Sequence, residues 1–153
     1  MTEREFVVKP LPPVRLAERS ALAATQPEVG ALVGPLFDQV ADALVAAGQQ
    51  LGLGVAYYVT LGEAIECHAG FEYAGAAANG FDVAELPAQA EAVALTHLGS
   101  MATISDSWGA VFEWIDNSGF VASGPCREVY LESESENQDS WVTELQQPFL
   151  RRS

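Results

Sequence analysis

Basic residues, sulfur and histidine are all scarce in this chain, and each scarcity closes off a class of function. Only 7 Lys and Arg stand against 21 Asp and Glu, a net charge of −14 over 153 residues. Binding a polyanion means supplying a cation for each phosphate neutralised, so direct nucleic-acid binding is not expected. The stretch from Met1 to Lys9, ahead of the first proline-bounded break, is also too short for a DNA-reading module. There are 2 cysteines, Cys67 and Cys126, and 2 histidines, with no C-x-x-C pair and no histidine at metal-site spacing. Reduced structural thiols, no metal and no cofactor are the expectation. His68 adjoins Cys67, but neighbours on a strand point to opposite faces. Long apolar runs are missing as well. Gly, Pro or charge interrupts each one before the ~18 residues that a membrane span requires. Met1-Thr2-Glu3-Arg4-Glu5 has no basic region followed by an apolar one, so no secretory leader is expected. These features point to a soluble, cytoplasmic protein with no membrane partner. Its surplus acid suits solubility, a cationic ligand or a basic partner.

What is present is core-forming material, 49% of the chain, in an amount that fits one domain. Residues 6–11 form a short apolar stretch that stops at Pro12-Pro13, and residues 14–24 read as a strand. Val29, Leu32, Val33, Leu36, Phe37, Val40, Leu44, Val45 and Leu51 then follow the spacing of one helix face. Thr25 with Glu28 resembles a capping box, and Pro27 suits a first turn. Pro35 predicts a kink or an irregular turn near Gly34. Gly48, Gly52 and Gly54 end the helix, and residues 55–60 and 65–73 read as a hairpin turning at Leu61-Gly62-Glu63.

After a small, Gly-bearing linker at 74–80, the pattern repeats from Phe81. Residues 91–98 read as a strand after Leu86-Pro87. Ile104, Trp108, Val111, Phe112 and Ile115 give a second amphipathic helix, with Thr103 as its cap and Asn117-Ser118-Gly119 as its stop. Residues 126–132 form a strand, 133–139 an acidic loop and 141–149 a closing strand. The halves also match weakly in residues, with Leu11-Pro12 recurring as Leu86-Pro87 and residues 54–61 lying on 124–131, which sets Tyr58 opposite Glu128. One domain over residues 1–153 is expected, with repeat one at 6–73 and repeat two at 81–150. The fold class is α+β: two βαββ repeats about a pseudo-twofold axis, forming one antiparallel sheet with both helices on one face.

The run Gly124-Pro125-Cys126-Arg127-Glu128-Val129-Tyr130-Leu131 carries the most chemical information. Alternation puts Val129 and Leu131 on one face, most simply against the helices, and turns Glu128 and Tyr130 to the other. A carboxylate inside a central strand costs free energy unless it is paired or hydrogen-bonded, although an antiparallel sheet can also leave one face wet.

This run, with His97-Leu98-Gly99, Glu113-Trp114-Ile115, Gly119 and the ending Trp141-x-Thr143-Glu144-Leu145-x-x-Pro148, resembles the GyrI-like family, which includes the effector-binding domains of MerR-type multidrug regulators. The resemblance runs from Val7-Val8-x-Pro10-Leu11-Pro12 to Phe149. It implies the double βαββ fold and a small-molecule site in the groove between the repeats, lined by aromatics and carrying a Glu that corresponds to Glu128. Such a Glu makes sense as a counter-ion for lipophilic cations, with aromatic faces adding ~0.5–2 kcal/mol per contact. Tyr58, Tyr130, Trp108, Trp114 and Trp141 are the candidate walls. Family members often carry Pro-Tyr after the Gly of His-x-Gly; here Ser100-Met101 stands there, and flexible Met101 reshapes that wall. His97 reads as a packed or hydrogen-bonded structural residue.

Three functions follow. The first is a stand-alone protein capturing lipophilic drugs or metabolites, cations among them, alone or as the sensor of a separate regulator. The second, also implied by the resemblance, is a hydrolase of strained cyclopropane-bearing genotoxic compounds, with Glu128 moving a proton or positioning water and Tyr58 or Tyr130 polarising the substrate. The third, implied by the family's name alone, is inhibition of a gyrase partner, for which the acidic residues Glu132, Glu134 and Glu136 are the place to look.

Overall fold

The computed structural model describes residues 4–152. Its strands are β1 (Phe6–Leu11), β2 (Val14–Ala23), β3 (Gly54–Leu61), β4 (Ala64–Glu72), β5 (Asp82–Leu86), β6 (Gln89–Leu98), β7 (Phe120–Ala122), β8 (Cys126–Glu132) and β9 (Val142–Arg151). Two helices, α1 (Val29–Ala46) and α2 (Ile104–Asn117), follow β2 and β6. The class is α+β, and every strand pairing within each unit is antiparallel.

The chain divides into two compact units, one being Pro13–Pro87 and the other the segment ending at Pro12 together with that beginning at Ala88. This division differs from the expected boundaries at both edges. β1 pairs with β6 rather than with β2, and β5 pairs with β2. The recurrent Leu-Pro pairs mark the crossings. Leu11 and Leu86 are buried at the ends of β1 and β5, and the prolines behind them cannot donate to a ladder, so each strand stops there.

In the Pro13–Pro87 unit the strand order is β3-β4-β2-β5. The β3–β4 hairpin turns at Gly62, whose φ of +66° favours glycine. α1 lies on one face of this sheet through Val33, Leu36, Val40 and Leu44, at spacings of three and four. Val40 and Leu44 pack with Ala17 and Phe81, and Phe37 meets Phe71 edge-on. Val45 and Leu51, expected on this face, are exposed: Val45 follows Leu44 directly and so turns about 100° off the buried stripe, and Leu51 lies beyond the helix end at Ala46. α1 runs unbroken through Pro35, and the irregular turn lies ahead of it, as a 3-10 turn at Gln26–Glu28. The expected Thr25–Glu28 capping box is replaced by a different bond: the Glu28 carboxylate accepts from the Ala24 N–H at 3.0 Å, one residue before Thr25, and Glu28 itself is the cap residue of α1. α1 is also long and apolar enough, by length and composition, to cross a membrane, contrary to the expectation of no such segment, since Gly, Ala and Pro scarcely lower its hydropathy. Its apolar stripe is used here to cover the sheet.

The other unit has the order β1-β6-β9-β8, with β7 on the end of β9. Val93 and Leu95 of β6 and Leu145 and Phe149 of β9 bury against Val111 and Ile115 of α2. The register then fixes what β8 presents. Glu128 pairs with Leu145, and Tyr130 with Thr143. Cross-strand partners share a face, so Glu128 and Tyr130 face α2. That reverses the expected alternation: Val129 and Leu131 look away, with Leu131 exposed.

Candidate ligand site

Glu128 is 4% exposed, and both its carboxylate oxygens accept from aromatic donors. The Trp108 indole Nε1–H donates to one at 2.8 Å, and the Tyr130 hydroxyl donates to the other at 2.6 Å. This resolves the cost of a carboxylate inside a strand, because charge-assisted hydrogen bonds replace lost hydration. The donors come from two elements. Tyr130 lies two residues along β8 and therefore on the same face, while Trp108 reaches down from the first turns of α2. Neither donor is charged.

Aromatic surface continues outward. The Trp108 ring stacks on Phe112 at 5.9 Å, and Tyr130 meets Trp141 edge-on at 6.5 Å. Met101 approaches along β9, its sulfur accepting from the Thr143 hydroxyl at 3.7 Å. The structure thus gathers Glu128, Tyr130, Trp108, Trp141 and Met101 in one unit. Trp114 sits apart from them, stacked on Phe6 and edge-on to Phe120 and Phe149, in the packing beneath the C-terminal half of α2. Tyr58 belongs to the Pro13–Pro87 unit. It pairs with Cys67, which shares a face with Phe71, so Tyr58 lies on the helix-covered face of its own sheet, as Glu128 does on its own.

His97 is buried and structural in its contacts. Nε2 donates to the Ser100 carbonyl at 2.9 Å, and Nδ1 is hydrogen-bonded to the Ser107 hydroxyl at 2.7 Å. Burial, with Glu128 nearby, pushes the Cys126 thiol up to about 12, so it stays protonated and is no nucleophile. Among the described residues no group of three or more His, Cys, Asp or Glu is arranged to hold a metal ion. A recess of about 340 Å³ in the Pro13–Pro87 unit is lined by Arg19, Ser20 and residues 78–82. Its lining is polar, and the Arg19 guanidinium is already bonded to the Gly80 carbonyl at 3.4 Å.

One cluster escaped sequence reading. On the helix-free face of β2, β3 and β4, the His68 ring lies between two carboxylates, Glu18 at Nδ1 and Glu66 at Nε2, each at 2.5 Å. It stacks on Tyr57 at 4.3 Å, and the Tyr57 hydroxyl donates to Glu18. Burial alone would lower His68, but the two acids outweigh it and hold the imidazole above its ordinary range. A Glu in the middle of an apolar strand is the signal that marks it.

A family model described as a GyrI-like small molecule binding domain matches residues 4–150. Among solved structures, the C-terminal domain of EcmrR superposes with a TM-score of 0.73 at 17% identity, covering 99% of this chain and 100% of that one. SAV2435 bound to tetraphenylphosphonium gives 0.71 at 14% identity, over 95% and 94% of the two chains. A hydrolase from Listeria innocua gives 0.64 at 10%, over 98% and 94%. At such identities the likeness is one of fold. No curated protein matches.

Proposed function

The chain belongs to the GyrI-like small molecule binding domains, and we propose that it captures lipophilic cations, with Glu128 as the polar anchor and Trp108, Tyr130 and Trp141 as aromatic walls. The observation that carries this reading is the grip of two neutral aromatic donors on a nearly buried carboxylate. The donors hold the carboxylate in place and keep it an acceptor, while their rings offer π faces to a positive charge. A lipophilic cation gains from both, whereas a neutral compound of the same shape gains only from the rings. SAV2435, a protein of similar fold, is known bound to tetraphenylphosphonium, a cation of this class. Met101 supplies an adaptable edge. Trp114 we assign to packing, because its neighbours are Phe6, Phe120 and Phe149.

The test is tryptophan fluorescence against lipophilic cations and neutral analogues, with mass analysis of each compound recovered. Saturable quenching by tetraphenylphosphonium, and recovery of every compound unchanged, is expected. A product heavier by one water would replace capture with hydrolysis by Glu128 and a tyrosine. No response across the panel would remove the ligand-binding reading and leave a protein partner to be sought.

A further inference from the structure

Residues 133–141, between β8 and β9, border the Glu128 site through the Trp141 ring, which meets Tyr130 edge-on. Glu134, Ser135, Glu136 and Asn137 are exposed. The segment is braced internally: the Asn137 side chain accepts from the Asp139 N–H at 3.0 Å, the Ser135 hydroxyl accepts from the Asn137 N–H at 3.1 Å, and the Trp141 indole donates to the Ser135 carbonyl at 2.7 Å. Its last residue, Trp141, is also held at the sheet edge, its carbonyl accepting from the Gly99 N–H at 2.9 Å. One side chain ties the segment across to the start of α2. The Gln138 amide oxygen accepts from the Met101 N–H at 3.0 Å and from the Ser100 hydroxyl at 3.4 Å. The receiving end is rigid. His97 holds the Ser100 carbonyl, and the Ser100 hydroxyl also caps the Ala102 N–H at 3.1 Å.

We infer that Gln138 is a positioning residue for ligand selection, setting the distance between Met101 and Trp141 at the edge of the Glu128 site and so the size of cation that enters and the rate at which it leaves. This rests on the ligand-binding reading above. Met101 is reached from one side by Thr143, the register partner of Tyr130, and from the other by Gln138. Trp141 donates its backbone N–H to the Gln138 carbonyl at 3.0 Å, while its ring faces Tyr130. Gln138 thus links Met101, bonded to the register partner of Tyr130, with Trp141, in ring contact with Tyr130 itself. Its own amide touches none of the three candidate aromatic rings in the contacts above, so its effect passes through Met101 and Trp141.

The experiment has two readouts on the full chain. Cleavage by an endoprotease specific for Glu, at Glu134 and Glu136 without ligand, reports opening of the segment. Stopped-flow dissociation of tetraphenylphosphonium reports the site. Gln138→Ala and the near-isosteric Gln138→Met are each expected to raise both rates about tenfold, two hydrogen bonds being lost. Gln138→Glu, which keeps the accepting oxygens, restores both rates. Far-UV circular dichroism of each variant should match that of the unmutated chain, showing that it folds. Faster cleavage with unchanged dissociation would overturn the inference, because the tie would then serve the loop alone. Unchanged cleavage would show that Gln138 holds nothing. Failure of the unmutated chain to bind the cation would remove the underlying reading, and the cleavage result would stand apart from it.

Discussion

Tyr130→Phe deletes one oxygen atom and changes almost nothing else, which makes it the sharpest probe of the carboxylate's environment. The hydroxyl lies 2.6 Å from Glu128, with Tyr130 9% exposed and Glu128 4%. Loss of a hydrogen bond to a buried charged acceptor costs about 1.5–3 kcal/mol. For a domain of this size, that lowers the melting temperature by about 3–12 °C. Size alone does not identify the cause, so the change is made a second time in a Glu128→Gln background. There the acceptor is neutral, and the hydroxyl contributes less. Urea unfolding of the four proteins gives the coupling, expected at about 1–2 kcal/mol for directly bonded side chains. A coupling below about 0.5 kcal/mol would show that Tyr130 and Glu128 are adjacent without being energetically linked, and the description of the site as a gripped anchor would fall.

Other consequences can be checked independently. Gly70→Ala would put a Cβ 2.0 Å from the Ala17 carbonyl, so β2 and β4 must separate; a loss of about 1–3 kcal/mol in urea unfolding is expected, and none would contradict the close approach. His68 is held above its ordinary 6.5, so its contribution to stability is complete below that value and is lost as pH rises through the raised one. The stability difference between the protein and His68→Gln should therefore shrink from pH 6 toward pH 9, and a constant or growing difference would contradict the carboxylate clamp. Trp114→Leu should cost about 2–4 kcal/mol by stripping its ring contacts to Phe6, Phe120 and Phe149, yet leave cation affinity within about threefold. A large affinity loss would return Trp114 to the wall.

Local chemistry was legible in the sequence and partner choice was not. The stripe of Val33, Leu36, Val40 and Leu44 announces α1, and the turn at Gly62 announces the hairpin, because both signals lie within one element. The exchange of β1 and β5 between units could not be read that way. A Leu-Pro ending states that a strand stops, but says nothing about which sheet it has joined. The same limit explains the inverted face of β8. Val129 and Leu131 are the apolar pair, and alternation alone sends them inward. The choice is made by register against β9 and by donors on Trp108 and Tyr130, which lower the cost of burying Glu128. Glu128 and Tyr130 could be named from residue type and strand position, Trp108 and Trp141 only through the resemblance, and the structure brings the four together. Gln138 could not be named, since one amide in an exposed acidic loop carries no pattern. Its partner Met101 drew notice only through the resemblance.

The central claim is that Glu128 selects for positive charge, and the most direct test is calorimetric. Tetraphenylphosphonium and neutral triphenylphosphine oxide would be titrated into the protein and into Glu128→Gln. Loss of at least about tenfold in affinity for the cation, equivalent to about 1.4 kcal/mol, is expected, with the neutral compound changing less than about threefold. Equal losses for both compounds, or none for the cation, would contradict a charge-selecting anchor at Glu128.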